Sequence, residues 1–572
     1  MAAAQTTVVP GVRRARRIPV EGLFLGGSAL VLVLLVVYPL LFLLYGSITR
    51  GGAISLENFA TVFSSRIYYD ALLNSVWLGV GCAVVAVVVG APMAWAVSRT
   101  NMPGKGLVRL LVNISYMTPP FLTAIAYVSL LSPNAGLINR LIVSLLGAER
   151  GPFNVFSLWG IIFVTSIHTF PFVFMLASSA LESVDSSLEE SAQMLRAGRI
   201  RTALKITLPL VTPAILSGAL LAFVNAIALF GSQAILGLPA RIYTLPTRIY
   251  ALFTYPPKYE LASALSVLLI AMTVGSLYLQ RHFLEKRSYV TMGGKGVRPQ
   301  LIDIGRKGYL ALTLCLAVFT LSVFLPYVTL MAVSVSRSWG MDFLHNLTLA
   351  NYEFVLLKYD VTQRAIVNSL VLATAAATLA MVLGTLISYI DLRTKLRGRR
   401  LLDYISLIPL GLPGIVLAVG LVQAWLRTPF NIYGTMVILL LAYVTRYIPL
   451  AVRSANSALQ QVDPSLEESA RVTGASWLRT LIRVTVPMTR RGLFAGWLLV
   501  FVPSLQELSA SILLFTSATT TLAVAVYNLY ETGQIEPVAA LAMVNMAVIS
   551  IALGAVGKLG GRPMAGSSGG QQ

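Results

Sequence analysis

Three ionisable side chains stand inside long apolar runs of this 572-residue sequence: His168 in "TSIHTFPF", Arg446 in "YVTRYIPL" and Glu507 in "LQELSAS". A charge at the centre of a bilayer costs roughly 2.5–3.5 kcal/mol on insertion scales, so such groups usually face the protein interior. Two readings are open. Arg446 and Glu507 form a bridge that holds two spans together, or one or both line a translocation path or its gate, with His168 a third member. A second set of carboxylates is written twice, as Glu189 and Glu190 in "SLEESA" at 187–192, and as Glu467 and Glu468 in "PSLEESARVTG" at 464–474. Counted from Ser179 and from Ser457, 11 of the first 14 residues match. Hydrolytic, redox and metal chemistry finds little support. The chain has three histidines (His168, His282 and His345) and two cysteines (Cys82 and Cys315) within apolar runs, with no His/Glu cluster, so no catalytic or metal site is assigned.

The elements that must position these groups are membrane spans. Hydrophobic residues make up 56% of the chain and charged ones only 11%. Apolar runs long enough to cross a bilayer recur from residues 23–45 onward. The formal charge is +21, but the basic residues fall in alternate gaps between runs: Arg13 to Arg17, Arg99 to Arg109, Arg196 to Lys205, Arg281 to Arg298, Arg393 to Arg400, Arg479 to Arg491, and Lys558 with Arg562. That is the positive-inside pattern, which orients a protein in a lipid bilayer; no nucleic-acid partner is implied. It places both termini in the cytoplasm.

The expected spans are 22–45, 73–97, 109–131, 158–180, 208–230 and 261–279, then 309–335, 367–389, 402–426, 434–455, 488–514 and 538–557. The fold class is therefore an all-α polytopic membrane protein of about twelve transmembrane helices in two parallel six-span repeats. The expected domains are a tail at 1–21, a first unit at 22–280, a basic linker at 281–308, a second unit at 309–557 and a tail at 558–572. Shorter echoes support the repeat: "LENF" at 56–59 with "LANY" at 349–352, "NSV" at 74–76 with "NSL" at 368–370, and Pro171 with Pro449.

The duplicated segments lie between the fourth and fifth spans of each unit. Asp463 suits a helix N-cap, Pro464 its first turn, and Glu467 and Glu468 its positive end. Gly474 permits a sharp turn, Ser476 can cap the next segment, and Pro487 meets the start of the following span. The first copy offers Asp185, Glu189, Glu190 and Pro209 in the same order.

This spacing resembles the coupling-loop motif of permeases of type I ABC importers: Glu-Ala-Ala, three residues, Gly, nine residues, Ile-x-Leu-Pro. The second copy reads Glu468, Ser469, Ala470, then Gly474, then Val484 to Pro487. The first reads Glu190, Ser191, Ala192, then Ile206 to Pro209, with Arg196 where the glycine belongs; Gly198 is the candidate for that turn. The resemblance spans the whole chain as two fused MetI-like permease domains. It implies a bacterial inner-membrane protein that docks two copies of an ATPase subunit on the cytoplasmic side and receives substrate from a periplasmic binding protein. The resemblance also implies that this chain binds no cofactor, ATP being used by the partner. The pairs Gly104-Lys105, Gly294-Lys295 and Gly557-Lys558 lack the Gly-rich spacing and Ser/Thr of a phosphate loop, so the chain is not expected to be an enzyme.

A parallel six-plus-six repeat also suits an ion-coupled secondary transporter, which would give the duplicated loop no role and would call for more intramembrane acids. For the cargo, "PSLQELSASILLF" at 503–515, "YETGQIEPVAALAMV" at 530–544 and the 228–265 segment resemble the ferric-iron branch of these permeases. Permeases for thiamine, polyamines and 2-aminoethylphosphonate are similar as well. The outer loops, 231–260 among them, are the expected docking surface for the binding protein.

Overall fold

A computed structural model describes residues 20–184, 191, 192, 194, 196, 198–285, 301–342, 345–426 and 432–559. The described residues are mostly helical, as a hydrocarbon environment requires of a chain whose backbone groups must bond internally. Nine helices among the described residues are long and apolar enough to span a bilayer. In the first half these are α1 (Gly22–Ser47), α2 (Arg66–Arg99), α5 (Leu158–Ser183), α6 (Ala203–Ala228) and α7 (Tyr259–His282). Before α5 lie α3 (Lys105–Met117) and α4 (Pro120–Leu131). The second half has α8 (Lys307–Ser334), α9 (Val361–Arg393), α10 (Arg399–Gly411), α11 (Gly414–Trp425), α12 (Met436–Gln460), α13 (Pro464–Val472), α14 (Val486–Leu505) and α15 (Ile535–Ala555).

The structure adds detail to the expected spans. The third spans, expected at 109–131 and 402–426, are broken. Helices α3 and α4 meet at 92°, and α10 and α11 at 113°. The breaks fall at Pro119-Pro120 and at Pro413-Gly414, where proline removes a donor and restricts the residue before it. With each bent pair taken as one span the number reaches eleven, in keeping with the expected count of about twelve. The remaining helix, α14, carries Arg490 and Arg491 in its first turns and stops at Leu505, well short of the expected 514.

The repeated sequence fragments do the same work in each half. Asn58 donates to the carbonyls of Ser47 and Thr49, and Asn351 to those of Ser334 and Ser336, folding the turn after each first span. Asn74 and Ser75 hold Tyr243 O and Leu245 N–H; Asn368 and Ser369 hold Thr520 O and Leu522 N–H. Four of the five π-helical turns among the described residues, Val33–Val37, Ala203–Thr207, Thr320–Phe324 and Leu481–Thr485, each precede a proline two residues on (Pro39, Pro209, Pro326 and Pro487). The wider turn accommodates the ring and the missing N–H, so the helix bulges at Pro209 and Pro487 and continues.

Each first span packs on the opposite half. Leu32 of α1, with Phe24, Leu25 and Ala29 beside it, joins a core of Ile387, Tyr389, Ile448, Leu459 and Trp477. Cys315 of α8 joins Met93, Val97, Val112 and Phe174 of the first half. This exchange makes the two halves one body.

Candidate functional site

The second copy of the duplicated segment forms the short helix α13. Asp463 caps it, accepting from Ser465 N–H at 2.9 Å, and that bond holds the Asp463 carboxyl below its usual range. Pro464 occupies the first turn, Gly474 turns the chain at φ 90°, and Ser476 accepts from Arg479 N–H to open the next segment. The two glutamates part company. Glu468 and Ser469 are exposed and Ala470 half-buried, whereas Glu467 is 3% exposed. Its carboxylate accepts from Tyr389 Oη at 2.9 Å and Thr485 Oγ1 at 3.1 Å, and pairs with Arg393 Nε at 3.2 Å. The Arg393 guanidinium also donates to the carbonyls of Leu459 and Val462. One buried carboxylate therefore joins the end of α9, the short helix and the entry to α14. Trp477 closes the joint from below against Phe24 and Tyr389.

In the first copy, Glu189 and Glu190 lie outside the described residues. Ser191 is exposed and Ala192 buried. Arg99, at the place equivalent to Arg393, is 1% exposed and donates to Val184 O, as Arg393 does to Val462 O. The expected turn at Gly198 needs correction, because Arg196 itself adopts the left-handed conformation at φ 57°. An L-residue pays about 1–2 kcal/mol there. Arg196→Gly is expected to stabilise the purified chain by roughly 1 kcal/mol, and Gly474→Ala to destabilise it by a similar amount. Thermal unfolding of the two variants checks both; a less stable Arg196→Gly would show that the guanidinium makes a compensating contact.

The intramembrane ionisable groups sort themselves. Arg446 Nε and Glu507 Oε2 are 2.9 Å apart, so α12 and the chain after α14 are joined. Glu507 is not within a helix, as the expected span implied, but in the break following Leu505. A break frees backbone N–H groups, and Glu507 Oε1 accepts from that of Ala510 at 2.8 Å. Tyr447 Oη donates to Oε2 at 2.6 Å, so both carboxylate oxygens are occupied. Tyr443 Oη meets Ser511 Oγ at 2.7 Å. The Arg446 guanidinium lies against Gly414, where a Cβ would collide with it, so the pair also touches the bend of the third span. His168 is 5% exposed and has no hydrogen bond or ion pair with either residue among the described residues. Phe230, opposite Glu507 in the repeat, is fully buried against Tyr250 and Tyr527.

Sequence reasoning missed Arg393, Tyr389 and Thr485. A signal existed: "RT" at 99–100 and 393–394 has the same spacing as "NSV" and "NSL". It also took 231–260 as an outer loop, but Gly231–Gly237 and most of Leu245–Ala251 are buried. Pro239, Arg241 and Thr254 to Lys258 are exposed there.

The profile of the binding-protein-dependent transport system inner membrane component family matches residues 86–289 and 380–561. The ferric transport system permease protein FbpB of Actinobacillus pleuropneumoniae is 26% identical over 518 residues, covering 89% of this chain and 74% of that protein. The Fe(3+)-transport system permease protein FbpB 2 of Haemophilus influenzae is 23% identical over 504 residues, covering 87% and 91%. The molybdenum transport system permease protein ModB of Escherichia coli K12 is 30% identical over 220 residues, covering 37% and 93%. With the family's domain present twice and the duplicated loop inside each copy, the chain belongs to the inner-membrane permease components of binding-protein-dependent ABC importers.

Proposed function

We propose that this permease moves ferric iron, delivered by a periplasmic binding protein, through a path between its two halves. Two ATPase subunits drive it from the cytoplasmic side, one at each duplicated loop. The observation that carries the cargo is that relatives named for ferric transport match 87–89% of the chain, both halves included. The exposed face of α13 supports the ATPase contact. Glu468, Ser469 and Val472 point away from the body of the protein, the last 88% exposed. In this reading both termini are cytoplasmic, and ATP is bound by the partner alone.

Radiolabelled ferric uptake by cells expressing the chain with its ATPase and binding protein tests the cargo; uptake of 2-aminoethylphosphonate, thiamine or a polyamine instead would overturn it. For the coupling role, Glu468→Lys combined with Glu190→Lys is expected to abolish ATPase co-purification and lower transport at least tenfold. The change reverses the charge that the exposed face of α13 offers a partner, and because Glu468 is exposed, folding should be spared. Unchanged co-purification would remove the loops from the coupling role.

A further inference from the structure

The ends of the two halves opposite the duplicated loops share a frame but not a filling. In each, the chain leaving the first span turns back under an asparagine, Asn58 or Asn351. A glutamate at the start of the last span accepts a backbone N–H from that turn: Glu260 from Gly51 and Glu536 from Trp339. In the second half the Trp339 side chain is driven inward. It is 9% exposed, and its indole N–H donates to Ser129 O at 2.8 Å. The first half has Gly51 and Gly52 at that place, at φ 59° and 89°, with no atom within 4 Å of where a side chain would begin. Beside them lies a cavity of about 510 Å³, within the size range of ligand pockets, lined among others by Thr49, Arg50, Thr61, Lys258, Gln423 and Glu260, the last accepting from Gly51 N–H.

Gln423 occupies the place that corresponds to Ser129. Its amide nitrogen is committed to Ser263 Oγ at 2.8 Å and Tyr259 O, while its amide oxygen has no hydrogen bond among the described residues. Gln423 lines the cavity, and its amide oxygen is left for an incoming donor, as Ser129 O is for Trp339. At its rim Arg50 is paired with Glu57, but Lys258 is exposed and has no ion pair among the described residues.

We propose that this cavity is a docking socket for an aromatic side chain with an N–H or O–H donor, a tryptophan or tyrosine of the extracytoplasmic binding protein, flanked by a carboxylate that meets Lys258. The second half supplies its own indole and is closed; the first half is left open for one supplied by the partner. Docking would then be one-sided, fixing which lobe of the binding protein faces which half. The inference rests on the binding-protein partner proposed above and is independent of ferric cargo.

The test fills the socket from within. Thr61 lies half-buried on the regular helix Glu57–Ser64, so Thr61→Trp adds an indole without a strained backbone. In cells expressing the full chain with its ATPase, Thr61→Trp should lower transport at least tenfold with ATPase co-purification unchanged, and Thr61→Ala should leave both unchanged. A photo-crosslinking residue at position 61 should attach to a secreted solute-binding protein, through a peptide containing tryptophan or tyrosine. Wild-type transport by Thr61→Trp, or crosslinks that reach only lipid, small molecules or a peptide without an aromatic residue, would overturn the proposal. Loss of ATPase co-purification in unmodified chains would instead overturn the importer reading.

Discussion

Glu467→Ala should undock the second loop and reduce ATPase co-purification and transport more severely than the same truncation, Glu468→Ala, at its exposed neighbour. Removing one member of a buried ion pair leaves the other charged and unsolvated, which costs about 3–5 kcal/mol, a hundredfold or more in the balance between docked and released loop. Arg393, 12% exposed at its side chain, would be the group stranded. The Tyr389 and Thr485 hydroxyls would lose their acceptor at the same time. The double variant Arg393→Met with Glu467→Leu removes both charges at similar volume and should regain much of the lost assembly. If Glu467→Ala retains full ATPase co-purification and transport, the joint does not position the loop. If the double variant is no better than the singles, the hydroxyl contacts rather than the ion pair hold it.

The second large effect is expected at Arg446 and Glu507. Both oxygens of Glu507 are already engaged, by Arg446 and Tyr447 on one side and Ala510 N–H on the other. A saturated carboxylate is poorly placed to bind a passing cation, which favours the bridge over direct substrate contact. Arg446→Gln and Glu507→Gln should each lower expression and transport together, with a penalty of about 3–5 kcal/mol for the unpaired partner. Arg446→Glu with Glu507→Arg should restore a large part of both. The substrate-contact reading would hold instead if Glu507→Gln left expression and ATPase docking intact but cut transport. Full transport in both single variants would remove the pair from the mechanism.

What could be read in advance followed from what repeats. Residues that recur at fixed spacing, Asn74 with Asn368 and Ser75 with Ser369, announce a shared role because both copies meet the same geometry. The caps at Asp463 and Ser476 were legible because capping is local chemistry. Three things were not. The bends at Pro119 and Pro413 lie in apolar runs that look like ordinary spans, because hydropathy measures length and composition, not direction. Glu467 and Glu468 are adjacent and chemically alike, and only the packing of α9 against α13 decides which turns inward. The Trp339 site lies where the halves differ: an insertion separates Trp339 from Asn351, and an alignment built on matches passes over it.

The exchange of first spans also bears on how the protein is made. Leu32 of α1 finds its neighbours at Ile387 and beyond, roughly 350 residues later in the chain. At a synthesis rate of about 5–20 residues per second, the first helix spends on the order of tens of seconds in the bilayer before its packing surface exists. Lipid must cover that face meanwhile, which the exposed leucines and valines of a free apolar helix allow. The second exchange runs the other way, since α8 emerges onto a first half already complete. Two separate polypeptides would face the same wait as a search among all available partners. Here the partner is always carried on the same chain, and biogenesis becomes an ordered, self-contained sequence in which each half is finished by the other.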